Sequence, residues 1–144
     1  MKRILLVCCL LFFISACNAA NDYSQRFISS FSACEPLMET STIIDGAGNK
    51  VQITKIIQGV MNHSCVYKQV VMRPTVKDVT TCAFTKPMVL EIADAMKSET
   101  GEKFNINLDI KGEVIPLYGV TKSHIIWTQY LNSDTICLRN ITER

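Results

Sequence analysis

The chain reads as an α+β fold: an antiparallel β-sheet meander packed by two helices, in a single small disulfide-bonded domain. Three observations predict it. Two segments repeat apolar residues at helical spacing. Most of the remainder alternates apolar and polar residues between turn-rich breaks. Beyond Cys17 four cysteines stand singly along the chain, an even number that suits two disulfides.

The first helix is expected over Asn21 to Cys34. Tyr23, Phe27, Phe31 and Cys34 fall on one face, Asp22 can cap the start, and Glu35-Pro36 stops it. Strands follow at Glu39–Ile44, Lys50–Val60, Cys65–Met72 and Val76–Phe84. The run Asp45-Gly46-Ala47-Gly48-Asn49 makes the first turn by composition. Alternation slips at Ile56-Ile57, which suggests a bulge. Thr85-Lys86-Pro87 opens a second helix, with Val89, Ile92, Ala93 and Met96 on its apolar face. Phe104 to Ile110 alternates strictly, as a strand with one wet face does. Val114–Val120 carries Pro116, which marks an edge or a break. Ser123–Tyr130 and Thr135–Ile141 read as a last hairpin about Asn132-Ser133. The order is one helix and about four strands, repeated once.

The N-terminus reads as an address. Met1-Lys2-Arg3 is basic, and Ile4 to Ile14 is an apolar run of eleven residues. A bilayer-spanning helix needs about 20, whereas the apolar part of a secretory signal runs about 7–15. Ile14-Ser15-Ala16-Cys17 resembles the lipobox of bacterial lipoproteins. The resemblance implies a signal peptide over residues 1–16, a diacylglycerol on the Cys17 thiol, and a single exported domain from residue 17 to 144. Asn18 in the next position implies export to the outer membrane. Cleavage after Ala19 or Ala20 is the other reading, and gives a soluble periplasmic or secreted protein.

From Cys17 onward 128 residues remain, enough for one domain with a substantial core. The whole chain has 15 Lys+Arg and 13 Asp+Glu; Lys2 and Arg3 leave with the leader, so 13 stay against 13. A formally neutral chain without a basic run disfavours nucleic acid, whose binding requires phosphate neutralisation. Of seven cysteines, Cys8 and Cys9 belong to the leader and Cys17 is lipidated or removed. Cys34, Cys65, Cys82 and Cys137 remain. Four cysteines allow three connectivities. If the turn of the third hairpin centres between Arg73 and Pro74, Cys65 and Cys82 lie opposite each other. That register favours Cys65–Cys82, and leaves Cys34–Cys137; the alternative is that both Cys65 and Cys82 face the helix and one of them bonds Cys34.

Little in the sequence points to catalysis, a cofactor or a metal. No Cys-x-x-Cys pair, phosphate loop or histidine metal motif is present. His63 and His124 have no local nucleophile or orienting acid, and read as surface residues. Glu91, Asp94 and Lys97 read as a solvated helix face. Met38, Met61, Met72, Met88 and Met96 lack ligand spacing and read as core filler. Asn62 and Asn140 head glycosylation sequons, which the lipoprotein reading leaves unused. Trp127 reads as core, while Tyr118 and Tyr130 join it as candidates for contact.

The leading expectation is therefore a non-catalytic envelope module. It would be held to the membrane by lipid and bind a protein or envelope component through a sheet face or loops. A proteinaceous enzyme inhibitor acting through a rigid loop at 45–49 or 73–76 comes second, and a small carboxylate hydrolase last. The leader sets the first prediction. Protein recovered from membranes should have the intact mass of Cys17–Arg144 plus diacylglycerol. A soluble product starting at Ala20 or Asn21 would remove the tether.

Overall fold

A computed structural model describes residues 23–143. The expected signal peptide, the expected lipidation at Cys17 and the expected Asp22 cap fall outside the described residues. The elements are α1 (Gln25–Ala33), β1 (Leu37–Ile44), β2 (Lys50–Met61), β3 (Ser64–Met72), β4 (Val76–Phe84), α2 (Lys86–Lys97), β5 (Phe104–Ile110), β6 (Glu113–Val120), α3 (Lys122–Leu131) and β7 (Cys137–Glu143). Strands β1-β2-β3-β4-β7 form one antiparallel sheet, and β5-β6 a separate hairpin. The α+β expectation holds, with three helices among the described residues in place of two.

Helix α1 starts at Ser24, whose hydroxyl accepts the Phe27 N–H at 2.9 Å, so Ser24 is the cap. It ends on Cys34 in the left-handed region, with Cys34 N–H to Phe31 O and Glu35 N–H to Ser30 O satisfying the last carbonyls. Phe27, Ile28 and Phe31 are buried beneath it. The bulge lies at Gln58, where the register shifts between Ile57 and Gly59. Gly59 has φ +97°, and a Cβ there would meet Pro36 Cγ at 3.4 Å, so the chain leaving α1 crosses over this glycine.

The first five-strand row explains the core. Leu37, Ile57, Tyr67, Cys82 and Cys137 are paired in register across all five strands, and every one is buried. Phe31 and Trp127 pack on this row, with ring centroids 6.4 and 4.9 Å from Tyr67. Phe84 lies 5.8 Å from Trp127. Such edge-on and tilted pairs add about 0.5–1.5 kcal/mol each beyond the area they bury.

Two expectations need correction. The β3–β4 register runs two residues further than expected: Cys65 faces Phe84, and Cys82 faces Tyr67. Pro74 takes a turn position, and Arg73 N–H bonds Val76 O at 2.8 Å, so the turn is centred between Pro74 and Thr75. An even shift keeps each side chain on its expected face but changes its neighbour. The disulfides are therefore Cys34–Cys65 and Cys82–Cys137, in place of Cys65–Cys82 and Cys34–Cys137. The first ties the end of α1 to β3, and the second joins β4 to β7 in direct register.

The second correction is α3. Ser123–Tyr130 is helical, so the last hairpin and the two-fold repetition are absent. Thr121 caps α3 by accepting the His124 N–H at 3.3 Å. Glu99 closes the same end. Its Oε2 accepts the Ser123 hydroxyl at 2.7 Å and the Ser123 N–H at 3.2 Å, while Oε1 accepts the Gly101 N–H at 3.2 Å. A carboxylate at a helix N-terminus meets the positive end of the helix dipole. Partial burial works against the Glu99 charge, but the hydrogen bonds from Ser123, Thr121 and Gly101 outweigh it and hold its pKa below 4.5.

These contacts are open to test. Peptide mapping without reduction should recover Cys34–Cys65 and Cys82–Cys137. Loops closed by 31 and 55 residues correspond to roughly 4 kcal/mol each, so Cys82→Ala/Cys137→Ala should lower urea-unfolding stability by about that much. The Glu99 contribution is present at neutral pH and is lost as pH falls below 4.5 through the folded-state value. Glu99→Gln should flatten this part of the acid stability curve; an unchanged slope would remove the clasp.

Candidate functional site

Register divides the large sheet into two unlike faces. On the helix side, the apolar row gives way to a polar row made of Glu39, Lys55, Gln69, Thr80 and Arg139. On the other side stand Met38, Ile56, Lys68, Thr81 and Leu138, then Thr40, Thr54, Val70, Val79 and Asn140, then Thr42, Gln52, Met72, Lys77 and Thr142. No residue in these three rows is buried. Met38 is 66 % exposed and Leu138 76 %.

This outer face has a definite chemistry. The strands give it only lysines as charges, Lys68 and Lys77, joined by Lys50 opposite Ile44, while Asp134 borders it in a cavity shared with Val66, Thr81 and Leu138. Apolar side chains lie between the lysines, with Thr40, Thr42 and Thr54 clustered on β1 and β2, Thr81 on β4 and Thr142 on β7. Met38 and Met61 are exposed, against the expectation of core filler, whereas Met96 is buried and Met88 packs on the core. An exposed apolar patch rimmed by polar groups is the usual form of an interaction site.

The helix-side polar row is largely engaged. The Arg139 guanidinium holds the buried Asp78 carboxylate, with Nε 3.0 Å from both oxygens. Tyr67 donates its hydroxyl to Gln69 Oε1 at 3.0 Å. Lys55 Nζ lies 4.5 Å from the centre of the Tyr23 ring. A cleft of about 250 Å³ opens here between α3 and the sheet, with Lys55, Gln69, His124 and Trp127 on its walls.

The residues weighed from the sequence are scattered. His63 is exposed at the tip of the β2–β3 turn, with φ +65°. It borders a second cavity of about 370 Å³ beside Cys34, Cys65 and Lys86. His124 is half-buried at the start of α3. Glu91 does not stand in solvent alone, because it accepts the Tyr130 hydroxyl. That bond, with some burial, pushes the Tyr130 phenol up to about 12. Lys97 reaches across to the Ser32 hydroxyl on α1 at 2.8 Å. Trp127 is core, on a helix and not on a strand, while Tyr118 is exposed. Among the described residues no helix is long and apolar enough to cross a membrane.

The loop at 45–49 is tied internally. Asp45 Oδ1 accepts the Ala47 and Asn49 N–H groups at 2.9 and 2.8 Å, and Asp45 N–H bonds Asn49 O at 3.0 Å. Bonds from Asn49 hold the Asp45 carboxyl below its ordinary range. Strands β1 and β2 carry this loop past the last β2–β3 pair, Gln52 with Met72.

Comparison with protein-family models, curated proteins and solved structures finds no match to this chain.

Proposed function

We propose that this protein is an exported, non-catalytic binding module, tethered by lipid at Cys17, that presents the outer face of its five-stranded sheet to a partner in the cell envelope. The observation that carries the reading is that face: none of its strand residues is buried, its centre is half-exposed and partly apolar, and lysines are its only strand charges. Such a surface complements a flat, acidic protein surface, because complementary charge speeds and orients docking while the apolar patch supplies adhesion. The leader motif and the two disulfides support export into an oxidising compartment.

The self-bonded loop at 45–49 favours a second reading, an inhibitor of another enzyme. A loop that is already ordered loses little freedom on binding.

One experiment separates the two. A photo-crosslinking residue is placed in the cell at Val79 on the outer face, at Ala47 in the loop, or at Asp94 on the exposed side of α2. The module reading expects a discrete crosslinked partner from position 79 and none from 94. It also expects Lys68→Glu/Lys77→Glu to reduce the yield at least tenfold while leaving thermal unfolding unchanged. Crosslinks confined to position 47 would move the function to the loop. Equal capture from 79 and 94 would sink the outer-face proposal.

A further inference from the structure

Strand β1 is an outer strand of the large sheet, and no described strand pairs with its free edge. Exposed edges attract other strands, and proteins usually blunt them with lysine, proline, bulges or short length. β1 has no lysine, proline or bulge, and its one charge, Glu39, is engaged by the Ser24 hydroxyl. It is eight residues long, Leu-Met-Glu-Thr-Ser-Thr-Ile-Ile, and pairs with β2 without a register shift. From Thr40 to Ile44 every residue is exposed, including Ile44 at 61 %. The other outer strand, β7, carries Arg139 and Glu143, and Arg139 is fastened to Asp78.

We infer that β1 pairs antiparallel with β1 of a second copy, about a two-fold axis through Ser41, to make one ten-stranded sheet. Face continuity requires an axis through a residue, and side-chain pairing favours Ser41, since an axis at Thr42 would put Met38 opposite Gly46 beyond the strand. Alternate residues of a strand point to opposite faces, so the outer faces of two copies become continuous only when paired residues have the same parity. An axis at Thr40 would set Ile44 against Pro36, which has no N–H to donate. An axis at Ser41 sets Met38 against Ile44, Glu39 against Ile43 and Thr40 against Thr42, twice over. The exposed Met38 and Ile44 then cover each other, and threonines meet threonines, both favourable cross-strand pairs.

Charge agrees with this arrangement. Glu39 is the one charged residue of β1, and its carboxylate already accepts the Ser24 hydroxyl at 2.6 Å. The two Glu39 side chains fall two positions either side of the axis, about 13 Å apart along the strand. That is beyond a Debye length of about 8–10 Å. No like charges face each other, and the two outer faces join into one lysine-bearing surface.

A single ladder is a small interface, so a dissociation constant in the range of about 10–100 μM is expected. The test is sedimentation equilibrium of the processed protein from about 1 to 500 μM, in density-matched detergent where it carries lipid. Its weight-average mass should rise from one copy toward two. Ser41→Asp places two carboxylates across the axis with both Glu39 on the diagonals, and should weaken the dimer at least tenfold. An equimolar mixture of Ser41→Asp with Ser41→Lys should restore it. Ser41 is exposed, so unchanged thermal unfolding of each variant serves as the folding control. A wild-type protein monomeric throughout this range would overturn the proposal. So would a dimer that Ser41→Asp leaves intact, because it would use another surface.

Discussion

The fold is seated on Tyr67. It occupies the central strand of the large sheet with no solvent exposure, and Phe27, Phe31, Phe84 and Trp127 all press on its ring. Helix α1 sends two of those rings and α3 a third, so one side chain sets where two helices sit. The hydroxyl sets a boundary as well. Its bond to Gln69 faces the first polar row of the sheet, where the core ends. A phenol buried this deeply stays protonated, since burial pushes its pKa far up. Deprotonation of Tyr67 is therefore no route to loosening this core.

The disulfides reinforce the same half of the molecule. Cys65 lies two residues before Tyr67 and draws in the end of α1, while Cys82 lies opposite Tyr67 and binds β7 to the sheet. Both links belong to the row that the helices cover or to its neighbour. Beyond them the sheet depends on strand pairing and on Asp78–Arg139. Crosslinking one half leaves the other half free of packing duties. That is why its outer face, the β1 edge and the 45–49 loop can be exposed without loss of the frame that holds them.

Much of this was legible from residue spacing. The aromatic stripe of α1, the face of α2 and the hairpin from Lys50 through Phe84 all follow from apolar periodicity and turn chemistry. The disulfide partners were hidden by a single turn. Placing its centre one residue early moved every pair by two, which leaves faces correct and partners wrong. Helix α3 was hidden for another reason. Ile125, Ile126, Trp127 and Tyr130 are residue types that favour strands, and short segments of this kind are ambiguous. Yet Ser123, Ile126, Trp127, Tyr130 and Leu131 fall at helical spacing, and each is buried or packs against buried residues. The deciding contact, Glu99 on the α3 N-terminus, joins residues 24 positions apart and has no local signature.

The outer face was the least legible feature, because alternation marks two faces without saying which is inside. In β3, Val66, Val70 and Met72 on one side look as apolar as Cys65, Tyr67 and Val71 on the other. Three helices supply the answer, since they are enough to cover one face and all three pack on the same core. The rings of Phe27, Phe31 and Trp127 crowd onto Tyr67, while the valines opposite are half-exposed and none belongs to the buried core. Selection for solubility alone would replace them with charged residues at little cost to the fold, because their side chains are not part of the core. Their place among lysines and threonines is the feature on which the proposed binding role rests.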